Sequence, residues 1–496
     1  MRSLFLTTLA AMAAPSLLHF ARTLNQDPPY RTSHALDRRF ELSRKNPEPR
    51  RGSYLITRDE ASSAQIEVTV HNARAHPIST YVTGVNSTSL EYLMLYNEKN
   101  GTFKWKVKPS GYESNSANAY YFTQSDSHYE IRVEANKTGV FYIPTYAASG
   151  RIYIANDTLR FGTNPGGSTA GFVEPSASNI DLPEYNHAWQ FMEFTWTRGQ
   201  FWINLSNLDF VSIPLGMTVV SKNTGSAKTV PGLVSNGTAL VCKALTKQAD
   251  ADGYNWKDLG IFDNDNHLVR VLSPDQYLST HAADPLNGYY DNYVDAVWEH
   301  YNKTNLTIYT QDSNSQATSS NDLEKGSKVP LGEHVSCRVD DDERLHCYNP
   351  TSGKSYNFQK PTTKEIFGCV QDGKTFQVKS DNTKDWTQPE IVPRLCAAFH
   401  RSTLLRDGGN IQPYSNGNNT AADYYCNNDP NNQYCVDNIT NHYARVVHDH
   451  EIEGMGYAFA YDDTNPIGKG LTNASANAAG LISDPNPASI TITVGL

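Results

Sequence analysis

The sequence predicts a mainly β protein: an antiparallel barrel or sandwich, interrupted by a smaller mixed α/β region, with a wide groove where the two meet. Three observations predict it. Between about 64 and 230, short segments alternate apolar and polar residues with period two, and turn residues recur at short spacing. The segment 288–302 instead carries an apolar stripe at helical spacing. Strand patterns then return near the end, finishing at Ile490–Val494.

Taken in order, residues 1–21 read as a signal peptide. Arg2 precedes an apolar run from Leu4 to Ala14, extended by Leu17 and Leu18, too short and interrupted to span a bilayer. Residues 22–62 hold Arg38-Arg39, Arg50-Arg51 and four prolines (Pro28, Pro29, Pro47, Pro49), and read as a leader or spacer. The first part of the β domain is expected over 63–231. There Ile66–Val70 alternates, as do Phe141–Ile143 and Arg151–Ala155, with Gly150 expected as a turn between the last two and 166–179 as an exposed loop. The mixed α/β domain is expected over 232–400. Its helix places Tyr290, Tyr293, Val294, Val297, Trp298 and Tyr301 on one face, Leu306–Tyr309 returns to strand, and 313–328 reads as a mobile Ser/Asn/Lys-rich loop. Residues 401–496 return to the β domain, with strands expected at Tyr443–Val447, Gly456–Tyr461 and Ile490–Val494.

Composition narrows the function. Of 496 residues, 42 are Lys or Arg and 52 Asp or Glu, a net charge of −10 with no basic run, which argues against nucleic acid as a partner. A further stretch of 18 apolar residues is absent, so a soluble, extracellular, monomeric protein with no membrane partner is expected. There is no G-x-S-x-G elbow, P-loop or dinucleotide fingerprint, so serine-elbow acyl transfer and nucleotide chemistry lose their anchors. Tyrosine is abundant, 29 against 18 Phe, and amphipathic rings suit sugar faces as well as β-rich cores. Eleven N-x-S/T sequons agree with a secreted glycoprotein. Seven cysteines suggest three bridges: the close pairs Cys337/Cys347 and Cys426/Cys435, then Cys369 with Cys396, leaving Cys242 alone.

Residues 189–215 carry the chemistry. Met192, Phe194 and Trp196 point one way; Glu193, Thr195 and Thr197 point the other. A two-residue turn at Arg198-Gly199 sets Thr197 opposite Gln200, Thr195 opposite Trp202 and Glu193 opposite Asn204. The polar face then offers a carboxylate, hydroxyls, an indole and an amide, the equipment of a sugar site. Asp209 follows as a second carboxylate. On pattern alone, the same hairpin could be an ordinary one with Glu193 on a solvated outer face.

This stretch resembles the active-site segment of glycoside hydrolase family 64, the laminaripentaose-producing β-1,3-glucanases of the thaumatin-like superfamily. The shared features are Glu193-Phe-Thr195, Trp202-Ile-Asn204 and Asp209, sixteen positions after Glu193. Further blocks resemble the family in family order, among them Val297-Trp298, Ile366-Phe-Gly-Cys369, Arg401–Leu405, Thr440–Arg445 and Gly456–Asp463. The resemblance implies a thaumatin-like fold, β-1,3-glucan as substrate and no cofactor or metal. It also implies inversion, with Glu193 as general acid and Asp209 as general base, their carboxyls about 6.5–9.5 Å apart. Glu193 should then have a raised pKa from its aromatic surroundings. Thr195, Trp202 and Asn204 are the candidate sugar contacts; Asp462 and Asp463 either line the cleft or cap a turn. The alternative is a thaumatin-like glucan-binding or defence protein without hydrolysis.

Two weaker patterns remain. His448-Asp-His450-Glu451, read as a strand, would put both imidazoles on one face in the manner of metal ligands, but structural hydrogen bonding is the plainer reading. Asp263–His267 lacks the Gly and terminal Glu of a calcium loop and reads as a turn.

Overall fold

The computed structural model describes residues 65–98, 100–107, 120–124, 126–164, 171–309, 334–349, 353–369, 387–405, 425–426, 436–463 and 479–495. The signal and leader segments, the stretch 313–328, Cys435 and the sequons at Asn418 and Asn473 lie outside them.

Two sheets face each other across an apolar core. The first has five strands in the order Ala227–Val230, Leu215–Ser221, Pro487–Val494, Ile66–Asn72, Thr138–Ile143. The pairing of 66–72 with 487–494 is parallel, and the others are antiparallel. The second sheet runs Ile482–Asp484, Gln200–Leu205, Trp189–Thr197, Ala147–Ala155, Ile78–Val85, Tyr92–Asn97, Phe103–Val107, with Ile131–Val133 paired to the side of 78–85. Between them pack Ile66, Val68, Phe141 and Ile143 from one sheet and Val82, Ile152, Met192 and Phe194 from the other. This is a sandwich, and neither sheet closes into a barrel among the described residues.

The larger sheet is apolar on its second face too. Tyr81, Tyr153, Trp189 and Phe191 join one cluster with Val241 and Leu245 of the helix Gly237–Asp252 and Tyr443 and Val447 of the helix His442–His450. Sitting between two cores explains why 78–85 is buried at every position. The expected 288–302 helix is Asp291–Lys303, and it buries Tyr293, Val294, Val297, Trp298 and Tyr301 as its spacing requires. Cys337 and Cys347 face each other on neighbouring strands and are bonded, Cys369 is bonded to Cys396, Cys426 is also in a disulfide, and Cys242 is a free thiol.

Four local expectations are corrected. Gly150 is not a turn but the middle of the strand Ala147–Ala155, where the Phe194 ring occupies the space a Cβ would need. The loop expected to be exposed at 166–179 is buried from Glu174 to Ser178, because it lies over the polar part of the larger sheet. Tyr443–Val447 is helical: the Asn441 side chain caps the first turn at the Ala444 amide, and the apolar residues also fit a 3.6 period. Gly456–Tyr461 is a string of bends and turns, closed by the Ala458 amide donating to Asp462.

Candidate active site

The site begins with the hairpin at 189–205, whose register is the expected one: Glu193 opposite Asn204, Thr195 opposite Trp202, Thr197 opposite Gln200. On its other side the 189–197 strand pairs with 147–155, which sets Arg151 beside Glu193 and Thr83 beyond it. One row across four strands is therefore Thr83, Arg151, Glu193, Asn204. Toward 189 the same face turns aromatic and closes into core, so the polar row marks the edge of the packed region.

Within this row Glu193 is the open member, its side chain 14% exposed. Both hydrogen bonds it accepts from Arg151 go to Oε1, from Nε at 3.3 Å and Nη2 at 3.2 Å. Arg151 also reaches Glu174 Oε2 and the Tyr153 hydroxyl, each at 3.5 Å, and that hydroxyl donates to Glu174 Oε1 at 2.6 Å. Burial alone would lower the Arg151 pKa, but Tyr153, Glu174, Glu193 and Asp209 around it raise it well above the ordinary value.

Asp209 arrives from a different direction. The segment after the 200–205 strand is held at Ser206 and Asn207. Gln190 donates to the Ser206 carbonyl, the Asn207 amide donates to the Tyr457 carbonyl, the Tyr443 hydroxyl donates to the Asn207 carbonyl, and the Asn207 side chain donates to Glu451 at 2.8 Å. Asp209 then accepts from Gln276 Nε2 at 3.1 Å through Oδ1, and from the Ser273 amide at 2.8 Å through its carbonyl. Ser178 in turn donates to Gln276. Burial, followed by the charges of Glu193 and Glu174, pushes the Asp209 carboxyl up to about 6, against the opposing pull of Arg151 and the Gln276 hydrogen bond. The strongly raised carboxyl here is Asp209. Glu193, expected in aromatic surroundings, has a guanidinium as its nearest partner.

The other candidates divide. Thr195 and Asn204 are buried beside Glu193; Thr195 accepts from the Ser149 amide at 3.3 Å, and Asn204 Oδ1 has no hydrogen-bond partner. Trp202 lies in the next row but is only 3% exposed, so it presents no open ring for stacking. Asp463 accepts from the Tyr457 hydroxyl at 3.0 Å, and Tyr457 in turn feels the charge of Glu193. Asp462 has no exposed surface and is not a cleft residue. Its carboxylate is used up by Arg401 at 2.9 Å, His448 Nε2 at 2.9 Å and the Ala458 amide at 2.9 Å. His448 Nδ1 meets Glu451 at 2.8 Å, so this imidazole bridges two carboxylates, and helical geometry turns His450 away from it. Where Cys369, Cys396 and His400 cluster, the two sulfurs are joined to each other. The Asp263 carboxylate accepts from the Asp265 and His267 amides, the turn expected there.

Sequence reasoning missed Arg151, Glu174 and Gln276. Arg151 had a signal, as a charge alternating with Tyr153 in an otherwise apolar strand. Glu174, within a small-residue run, and Gln276, on a separate helix, had none.

A family model described as "Beta-1,3-glucanase" (glycoside hydrolase family 64) matches residues 64–494. The chain is 26% identical over 314 residues to a glucan endo-1,3-beta-glucosidase of Cellulosimicrobium cellulans, and 25% identical over 313 residues to one of Arthrobacter sp. (strain YCWD3). Each match covers 63% of this chain and 48% of the relative, about half that relative's length. Among solved structures, a laminaripentaose-producing β-1,3-glucanase in complex with laminaritetraose is similar with a TM-score of 0.64 at 23% identity, covering 87% of this chain and 98% of that one. A β-1,3-glucanase domain (GH64) from Clostridium beijerinckii gives 0.60 at 19% identity, with the same coverage. These two likenesses establish the fold.

Proposed function

The chain belongs to glycoside hydrolase family 64, the β-1,3-glucanases, and from that membership we propose that it is a secreted enzyme of thaumatin-like fold that cleaves internal linkages of β-1,3-glucan with inversion, releasing short gluco-oligosaccharides. The observation that carries the reading is a pair of acids whose charges both act on the buried Arg151 guanidinium, Glu193 open and hydrogen-bonded to it, Asp209 buried and acting through its field alone. Two carboxyls in unlike environments are what an acid and a base require. Glu193 donates its proton to the leaving glycosidic oxygen. Asp209 takes a proton from a water whose oxygen bonds to the anomeric carbon on the opposite face as the glycosidic bond breaks. Asn204, with an unpartnered buried oxygen beside Glu193, is the best-supported sugar contact.

The raised Asp209 carboxyl also favours a second reading, with the roles exchanged and Asp209 as the acid. Leaving-group chemistry separates the two. Glu193→Gln should lose hydrolysis of laminari-oligosaccharides yet keep cleavage of a dinitrophenyl laminarioligoside, which leaves without protonation, whereas Asp209→Asn should lose both. The opposite pattern exchanges the roles. Proton NMR of the first product should show the α-anomer; the β-anomer would refute inversion. Binding of linear β-1,3-glucan without any product would leave only the non-catalytic binding protein.

A further inference from the structure

Arg151 touches two carboxylates directly, and one of them, Glu174, has no part in the reaction proposed above. We propose that Glu174 is a positioning residue, the standing counterion of Arg151, which lets Glu193 gain and lose its proton without stranding a buried guanidinium. The inference rests on Glu193 being the general acid.

Geometry carries it. Arg151 offers one edge, Nε and Nη2, to Glu193 Oε1, and its remaining nitrogen, Nη1, to Glu174 Oε2 and the Tyr153 hydroxyl. Arg151, Tyr153 and Glu174 are all buried. A guanidinium does not give up its charge, and a buried charge without a partner is strongly unfavourable. If Glu193 were the sole partner, every protonation of Glu193 would leave Arg151 bare. The acid would then be held ionised and would have no proton to give. With Glu174 in place, Arg151 stays paired in both states. The Tyr153 hydroxyl, donating to Glu174 Oε1 at 2.6 Å, holds that carboxylate in place beside Arg151.

The segment carrying Glu174 is fastened at its far end. Arg270, fully buried, donates to the carbonyls of Ala177, Glu184, Tyr185 and His187. Ser178 links the same segment to Gln276 and so to Asp209. The charged and titratable groups facing this cluster come from several elements: Tyr153 and Arg151 from one strand, Glu193 from the next, then Glu174, Asp209, Tyr443 and Tyr457.

The test is the pH profile of kcat/KM for Glu174→Gln on a laminari-oligosaccharide and on a dinitrophenyl laminarioligoside. The variant leaves Glu193 as the direct carboxylate partner of Arg151, so the alkaline limb, where the acid loses its proton, should move to lower pH by a unit or more. On that limb each unit lowers oligosaccharide hydrolysis about tenfold. The dinitrophenyl substrate needs no acid and should keep most of its rate. An unmoved alkaline limb, or equal losses on both substrates, would overturn the counterion role. Should Glu174→Gln not fold, Tyr153→Phe weakens the same counterion: a smaller shift in the same direction supports the role, and an unchanged limb overturns it. Glu193→Gln and Asp209→Asn keep the two levels apart. If either still hydrolyses the oligosaccharide, the assignment of the acids fails; if both are inactive and Glu174→Gln has the parent profile, only the counterion role fails.

Discussion

Raising the pH from 7 to 9 should weaken the fold through one residue, His448. Both its ring nitrogens meet carboxylates that have no exposed surface, Glu451 at 2.8 Å and Asp462 at 2.9 Å. Burial alone would lower its pKa, but those two carboxylates override burial and raise it to about 10. In the unfolded chain an imidazole titrates near 6.5. A raised folded pKa means stability that is complete below about 6.5, falls as pH climbs, and is gone above about 10. The difference of about 3.5 pH units corresponds to about 5 kcal/mol, of which about 3 kcal/mol is lost between pH 7 and 9. Most tyrosines titrate near 10 or above, so this window belongs largely to His448. Urea unfolding midpoints at pH 7, 8 and 9 measure the slope. His448→Gln, which cannot serve two carboxylates as a cation, should be less stable at pH 7 and nearly flat to pH 9. A wild-type midpoint that holds constant across this range, or a variant with the parent slope, would refute the argument.

Three further outcomes follow from the site. On the acid side, kcat/KM should fall as pH drops through about 6, because Asp209 must be ionised to act as base; a profile flat to pH 5 would remove it from that role. Asp209→Asn should be inactive but more stable by about 3 kcal/mol at pH 7, since the buried charge lifts the carboxyl from an ordinary 3.8 to about 6. That advantage should shrink as pH falls from 6 toward 4, and calorimetry at the two ends checks it. Gly150→Ala should cost about 1–3 kcal/mol by driving a methyl into the Phe194 ring, read as a lowered Tm.

Much of the fold was legible where one face of an element is apolar and the other carries polar residues. The hairpin register at Glu193 followed from alternation and a two-residue turn, because slipping by one residue would send Phe194 and Trp196 out of the core. The helix at Asp291–Lys303 followed from a six-residue aromatic and aliphatic stripe. Legibility failed where distant segments decide. Tyr443–Val447 is short and apolar enough to suit either strand or helix, and its cap, Asn441, tips it. The burial of Glu174 depends on Arg151, some 23 residues earlier in the chain, and on Arg270, far later. Gln276 reaches Asp209 from a helix 67 positions on. Asp462 looks like a surface turn residue until Arg401 and His448 are found on it.

The parallel pairing of Ile66–Asn72 with Pro487–Val494 has an effect on biosynthesis. The late strand lies between 66–72 and 215–221, so those two cannot be joined through it while it is still inside the ribosome. Until residues 487–494 are made, two early strands wait with unpaired edges, open to wrong partners. The smaller sheet is thus completed only after residues 487–494 have emerged, so its two halves are brought together by the strand made last of its five.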